Sequence, residues 1–328
     1  MHCSLSWRIV LLVALEIGGV LSSAQQQQSP SQFPPIKVYV ELVSSNATVT
    51  DREGRAVTGL RKEDFTVLED GVLQEIAVFH DDEHIPVSIG IIFDTSGSMV
   101  DKIEGVQDAA IHFANTTNPE DDIFLIRFSS TVSLVQDFTN DREQLKRAIG
   151  NLRAQGSTLL YEAIVEGLEH LQNGKHKKKA LLVITDGNDT GSSVGLQETI
   201  ATVQQSEALV YALGIGHGER GSFGHLPSGF GHEDRVNIEA LLAIAEASGG
   251  RAVLLEGRLH QRGVDLIDRA ALQVSAELRN QYTIAYYPKN RAKDGTFRRL
   301  EIRTVNPNYT VRARNGYLAQ REIPVPRF

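Results

Sequence analysis

Between residues 85 and 280 the chain repeats one pattern: a short apolar run, a polar loop, then a stretch with apolar residues at helical spacing. The apolar runs fall near 87–93, 122–129, 131–137, 180–185, 208–215 and 251–255. The amphipathic stretches fall near 102–115, 141–150, 159–172, 196–206, 237–248 and 263–280. Strands buried on both faces read as continuous apolar runs, and their alternation with helices predicts an α/β fold with a doubly wound, mostly parallel six-stranded sheet. Only Ser129-Ser130 separates the second run from the third. That is hairpin length, so one strand is expected to run antiparallel to the others.

In an open sheet of this kind, ligands bind outside the carboxyl ends of the strands, where the strand order reverses. Two of the apolar runs finish there in acids. Ile89-Gly90-Ile91-Ile92-Phe93-Asp94-Thr95-Ser96-Gly97-Ser98-Met99 supplies one carboxylate and two hydroxyls, and Leu181-Leu182-Val183-Ile184-Thr185-Asp186-Gly187 supplies a second carboxylate. Hard divalent cations take oxygen ligands, and Mg²⁺ keeps several waters while binding few carboxylates. The competing reading of any single loop is that its Asp or Ser caps the following helix.

Asp94-x-Ser96-x-Ser98, a Thr in Gly156-Ser157-Thr158-Leu159, and Asp186 follow one another in the order and setting of the metal-ion-dependent adhesion site, and the chain resembles von Willebrand factor type A domains over about 85–280. The resemblance implies that Ser96 and Ser98 bind Mg²⁺ or Mn²⁺ directly, that Thr158 does so when ligand is engaged, and that Asp94 and Asp186 act directly or through waters. It further implies an open metal position, completed by an Asp or Glu of a protein partner. Asp189, close in sequence to the site, is expected at the surface, with a supporting place behind the metal-binding loops as the alternative. In related domains the last helix slides along the sheet. Here the stretch 263–280 runs directly into Tyr282-Thr283-Ile284, so ligand engagement is expected to change the angle between domains.

The flanks read differently. Within 36–84, alternation at Val38, Val40 and Leu42, the run Ala47-Thr48-Val49-Thr50, and Phe65-Thr66-Val67-Leu68 before Glu69-Asp70-Gly71 indicate a small β segment with too few strands to close on itself. Within 281–320, Gln281 to Tyr287, Phe297 to Val305 and Tyr309 to Arg314 also read as strands. The expected arrangement is a β-sandwich-like domain built from both flanks with the α/β unit inserted; two unconnected β extensions are the alternative. Val67 to Gly71, Gln281 to Pro288 and Arg314-Asn315-Gly316-Tyr317 are similar to exported von Willebrand factor type A-related proteins of Acidobacteria, a likeness that supplies no physiological role.

Residues 1–24 read as a secretory signal, with Arg8, a mostly apolar Ile9 to Leu21 and small residues at Ser22-Ser23-Ala24. A Gln-rich linker at 25–35 follows, and 321–328 forms a tail. Export to the periplasm or the outside of a bacterial cell is the expectation. The single cysteine, Cys3, lies in the leader, so the mature protein is expected to have no disulfide. No later run is long and apolar enough to span a membrane. The net charge of −8 argues against a nucleic-acid surface. The one basic run, Lys175 to Lys179, is expected as a solvated turn at the end of the sheet away from the acids.

The segment 214–234 is long and glycine-rich and leaves a strand on the acidic side. His217, His225 and His232 within it are candidates for partner contact in a specificity loop; a transition-metal site is the rival reading. Protease, nucleophile-elbow and phosphate-loop motifs are missing from the sequence. The chain is therefore read as a binding module and not an enzyme. The alternatives are a structural surface component stiffened by metal and, further off, a Mg²⁺-dependent hydrolase.

Overall fold

The computed structural model describes residues 42–82, 85–218, 235–255 and 262–320. The expected signal, linker and tail, the alternation at Val38 and Val40, and the candidates His225 and His232 lie outside these residues.

The chain opens with β1 (Val43–Thr50), β2 (Phe65–Glu69), β3 (Val72–Gln74) and β4 (Ile76–Asp81). The α/β unit follows: β5 (Val87–Asp94), α1 (Ile103–Thr116), β6 (Asp122–Phe128), β7 (Val132–Thr139), α2 (Arg142–Gly150), α3 (Leu160–Leu171), β8 (Lys178–Thr185), α4 (Leu196–Gln205) and β9 (Leu209–Ile215). It continues through the two-residue strands β10 (His217–Gly218) and β11 (Arg235–Val236), then α5 (Ile238–Ser248), β12 (Arg251–Leu255) and α6 (Arg262–Arg279). Strands β13 (Tyr282–Tyr286), β14 (Phe297–Thr304), β15 (Thr310–Ala313) and β16 (Gly316–Leu318) finish the described chain.

Six strands form the central sheet in the order β12-β9-β8-β5-β6-β7. All neighbours are parallel except β6 and β7, which the short link of Ser129, Ser130 and Thr131 turns into a hairpin. β5 lies at the centre and is buried along its whole length. Its alternate residues serve two cores. Ile89, Ile91 and Phe93 face Val106, Ala110 and Phe113 of α1 and Ala271, Val274 and Leu278 of α6. Ile92 faces Ile164 and Leu168 of α3, with Leu241 and Ile244 of α5 in the same cluster. Gly90 is required between them, because a Cβ there would meet the Phe124 ring at 2.3 Å.

Two four-stranded sheets draw on both flanks, in the orders β15-β1-β13-β4 and β16-β14-β2-β3. β1 pairs antiparallel with β13 and β15, and β14 with β2. Val43, Ala47 and Val49 from one sheet and Phe65, Val67, Leu300 and Ile302 from the other share one apolar cluster. Glu69, 2% exposed, accepts hydrogen bonds from the hydroxyls of Tyr286 at 2.7 Å and Tyr317 at 2.8 Å.

Charged pairs fasten these sheets to the α/β unit. Glu277 of α6 meets Arg251 of β12 at 3.1 Å and Arg312 of β15 at 2.7 Å. Lys178 meets Asp82 at 3.2 Å. The last pair corrects the expectation for the basic run: Lys175 and Lys177 are exposed, but β8 begins two residues earlier than the apolar pattern suggested, and Lys178 is buried against a carboxylate. Burial of the ammonium is tolerable because Asp82 neutralises it.

Candidate functional site

The helix after β5 packs on one face of the sheet and the helix after β8 on the other. The loops leaving these adjacent strands therefore diverge, and a crevice opens at their carboxyl ends. Asp94 closes β5 and Asp186 directly follows β8, so both carboxylates stand at this crevice.

Asp94 is fully buried and doubly held. One oxygen accepts the Thr185 hydroxyl at 2.6 Å and the other accepts the Ser96 N–H at 2.8 Å. Thr185 Oγ1 also accepts the Gly187 N–H at 2.9 Å, which ties the Asp186 loop to the same point. Gly187 takes a positive φ of 86°, and a Cβ there would meet Val236 at 2.7 Å, so this turn needs glycine. The Ser96 and Ser98 hydroxyls lie 3.1 Å apart. Ser96 is buried and Ser98 is exposed, so the site opens to solvent on the Ser98 side.

The three loops are bonded to one another. The Gly97 N–H donates to Gly156 O at 2.9 Å, and the Gln155 N–H to Thr95 O at 2.7 Å. Thr158 and Thr190 exchange two bonds: the Thr158 N–H donates to Thr190 Oγ1 and the Thr190 N–H to Thr158 O, each at 3.0 Å. For Asp189 the structure favours the supporting place over the surface. The residue is partly buried, and its Oδ1 accepts the Leu160 N–H at 2.8 Å and the Ser192 hydroxyl at 2.6 Å. Leu159 has no side chain able to cap α3, so an acid from a distant loop satisfies the open end of the helix and fixes the Thr158 segment.

Electrostatically the site is crowded. Burial first, and the nearby Asp186 charge second, push the Asp94 carboxyl up to about 6, against the opposing hydrogen bonds from Thr185 and Ser96. Asp186 is 3% exposed, and its Oδ2 accepts no hydrogen bond among the described residues. The Lys102 ammonium stands 3.6 Å from that oxygen. Sequence reasoning overlooked Lys102, Thr185 and the role of Asp189. A hydroxyl immediately before Asp186 and a lysine at the start of an amphipathic run were the available signals.

Asp94, Ser96, Ser98, Thr158 and Asp186 thus lie on three hydrogen-bonded loops at one end of the sheet. His217 belongs to β10, which pairs in parallel with β11. Among the described residues no three His, Cys, Asp or Glu side chains gather at one point. The donors offered are two carboxylates and several hydroxyls, a set suited to hard cations and not to soft ones.

Residues 89–188 match the family model of the von Willebrand factor type A domain. An uncharacterized protein of Synechocystis sp. is 25% identical over 180 residues, covering 53% of this chain and 39% of that protein. The inter-alpha-trypsin inhibitor heavy chain H4 of Bos taurus is 24% identical over 148 residues, covering 40% of this chain and 16% of that protein. The chain thus spans well under two thirds of the length of these relatives. Among solved structures, BatB from Bacteroides thetaiotaomicron aligns with a TM-score of 0.44 at 18% identity, covering 58% of this chain and 98% of that one. A von Willebrand factor type A protein from Catenulispora acidiphila aligns with a TM-score of 0.48 at 13% identity, covering 88% and 74%. The matched stretch contains Asp94, Ser96, Ser98, Thr158 and Asp186, and the chain carries a von Willebrand factor type A domain.

Proposed function

We propose that this chain is an exported protein-binding module in which Asp94, Ser96, Ser98, Thr158 and Asp186 hold a divalent cation, Mg²⁺ or Mn²⁺, that a carboxylate of a protein partner completes. The observation that carries the reading is the buried acid pair: Asp186 Oδ2 accepts no hydrogen bond among the described residues, and its charge raises the Asp94 carboxyl. Burying two carboxylates side by side is costly unless positive charge answers them. Ser96 and Ser98 add neutral oxygens without adding further negative charge, and the exposed Ser98 marks the way in. A bound divalent cation supplies an electrophilic centre for an external carboxylate oxygen. Thr185, Gly187 and the Thr158–Thr190 bonds hold the donor loops in place beforehand.

Export rests on the leader-like residues 1–24, and among the described residues no helix is long and apolar enough to cross a membrane. The two flanking sheets, which share one apolar cluster, are read as a sandwich carrying the binding domain.

The test immobilises a capped peptide with a single Asp and measures capture of the mature protein in Mn²⁺ and in chelator. Capture in Mn²⁺ alone, lost in Asp94→Ala with thermal unfolding of the chelated protein nearly unchanged, supports the reading. Equal capture in chelator contradicts it. If Mn²⁺ raises the unfolding temperature but no carboxylate is captured, the metal has only a structural role.

A further inference from the structure

Lys102 occupies the N-cap position of α1. Its N–H donates to Met99 O at 2.9 Å, and its carbonyl accepts the Val106 N–H at 3.2 Å. Small hydrogen-bonding residues favour that position, and a cation there opposes the helix dipole. The Lys102 side chain makes no cap bond. It turns into the site instead: the side chain is 14% exposed, Nζ is buried, and Asp186 Oδ2 lies 3.6 Å away. A buried ammonium is expensive except beside a carboxylate. Lys102 therefore weakens its own helix end and adds positive charge to the acid pair.

We propose that Lys102 sets the charge of this site: it loosens the hold on a divalent cation and makes the occupied site selective for an acidic group. The inference rests on the divalent-cation reading above. The ammonium competes with an incoming cation for Asp186, at a separation where solvent ions screen little. The same charge acts in the opposite sense on an incoming carboxylate. Removing the Lys102 charge therefore lowers by one the positive charge that an incoming ligand meets beside Asp186. A carboxylate feels that change in full, whereas a neutral carboxamide of the same shape feels little of it. Lys102 is thus a specificity-determining residue for the partner and a brake on metal affinity.

The test uses the mature chain and Lys102→Met, which keeps the length of the side chain and removes its charge. Mn²⁺ is titrated calorimetrically into the chelated protein. A capped peptide with one Asp is then titrated at saturating Mn²⁺, with its Asn counterpart as control. The expected result is opposite movement: Mn²⁺ binds on the order of tenfold tighter, and the Asp peptide on the order of tenfold more weakly. Lys102→Arg keeps both affinities near the wild type. A purely structural lysine would weaken both together, and that result, or unchanged affinities, overturns the inference. If Lys102→Met does not fold by circular dichroism, Lys102→Gln answers the same question. Absence of Mn²⁺ binding to the wild type overturns the cation reading itself, independently of any variant.

Discussion

At the amino end of the central sheet, each buried charge has an opposite charge beside it. Glu277 lies between Arg251 and Arg312, and Lys178 rests on Asp82. At the carboxyl end, Asp94 and Asp186 are buried together, the first is raised to about 6, and Lys102 is the cation seen beside them, at 3.6 Å from Asp186. The same strands serve both ends. Paired charge at one end fastens the flanking sheets; two buried acids together at the other, among the described residues, leave a demand that a ligand can meet. Buried groups whose charges are not balanced mark functional sites more reliably than buried charge as such.

The largest effect should come from unbalancing the quiet end. Glu277→Ala leaves the partly exposed guanidinium groups of Arg251 and Arg312 without their buried partner, and we expect a loss of about 4 kcal/mol at most in urea unfolding, with Mn²⁺ affinity unchanged. An equal loss of metal affinity would mean that the two ends are coupled through α6.

A smaller effect belongs to the acid pair. The Asp94 carboxyl is held above its ordinary value, so the folded state binds this proton more tightly than the unfolded chain does. Stability of the chelated protein is therefore lower above pH 6 and rises as the pH falls through about 6 toward 4, by roughly 3 kcal/mol at most. Asp94→Asn should flatten this rise in a pH series of urea melts. A rise of the same size in the variant would place the titrating group elsewhere.

The smallest effect is at Asp189. Asp189→Ala removes the cap on α3, and a loss of about 1 kcal/mol is expected, together with weaker Mn²⁺ binding because the Thr158 segment loosens. Stability lost with metal affinity intact would make Asp189 a cap and nothing more.

These contrasts also separate what was legible in the sequence from what was not. The apolar run of β5 and its ending at Asp94 were legible because burial on both faces and a strand's carboxyl end leave local marks. The antiparallel β7 followed from the shortness of the link at Ser129 and Ser130, which in the structure also takes in Thr131. Lys178 was misread because its partner, Asp82, is distant in the chain, and a lysine within a basic run gives no local sign of burial. For Asp189 the sequence favoured the surface over a supporting place for the same reason: the helix end it satisfies belongs to Leu160, not to its own neighbours. Lys102 stands at a helix start where its type is unfavourable, and that local conflict was the overlooked signal.

The most direct test of the account is a calorimetric titration of Mg²⁺ and Mn²⁺ into the chelated mature protein, alongside Asp94→Ala and Glu277→Gln. Saturable binding to the wild type and to Glu277→Gln, lost in Asp94→Ala, is the predicted result. Binding that survives Asp94→Ala, or no heat with the wild type at either ion, would contradict the assignment of the carboxyl end of the sheet as a cation site.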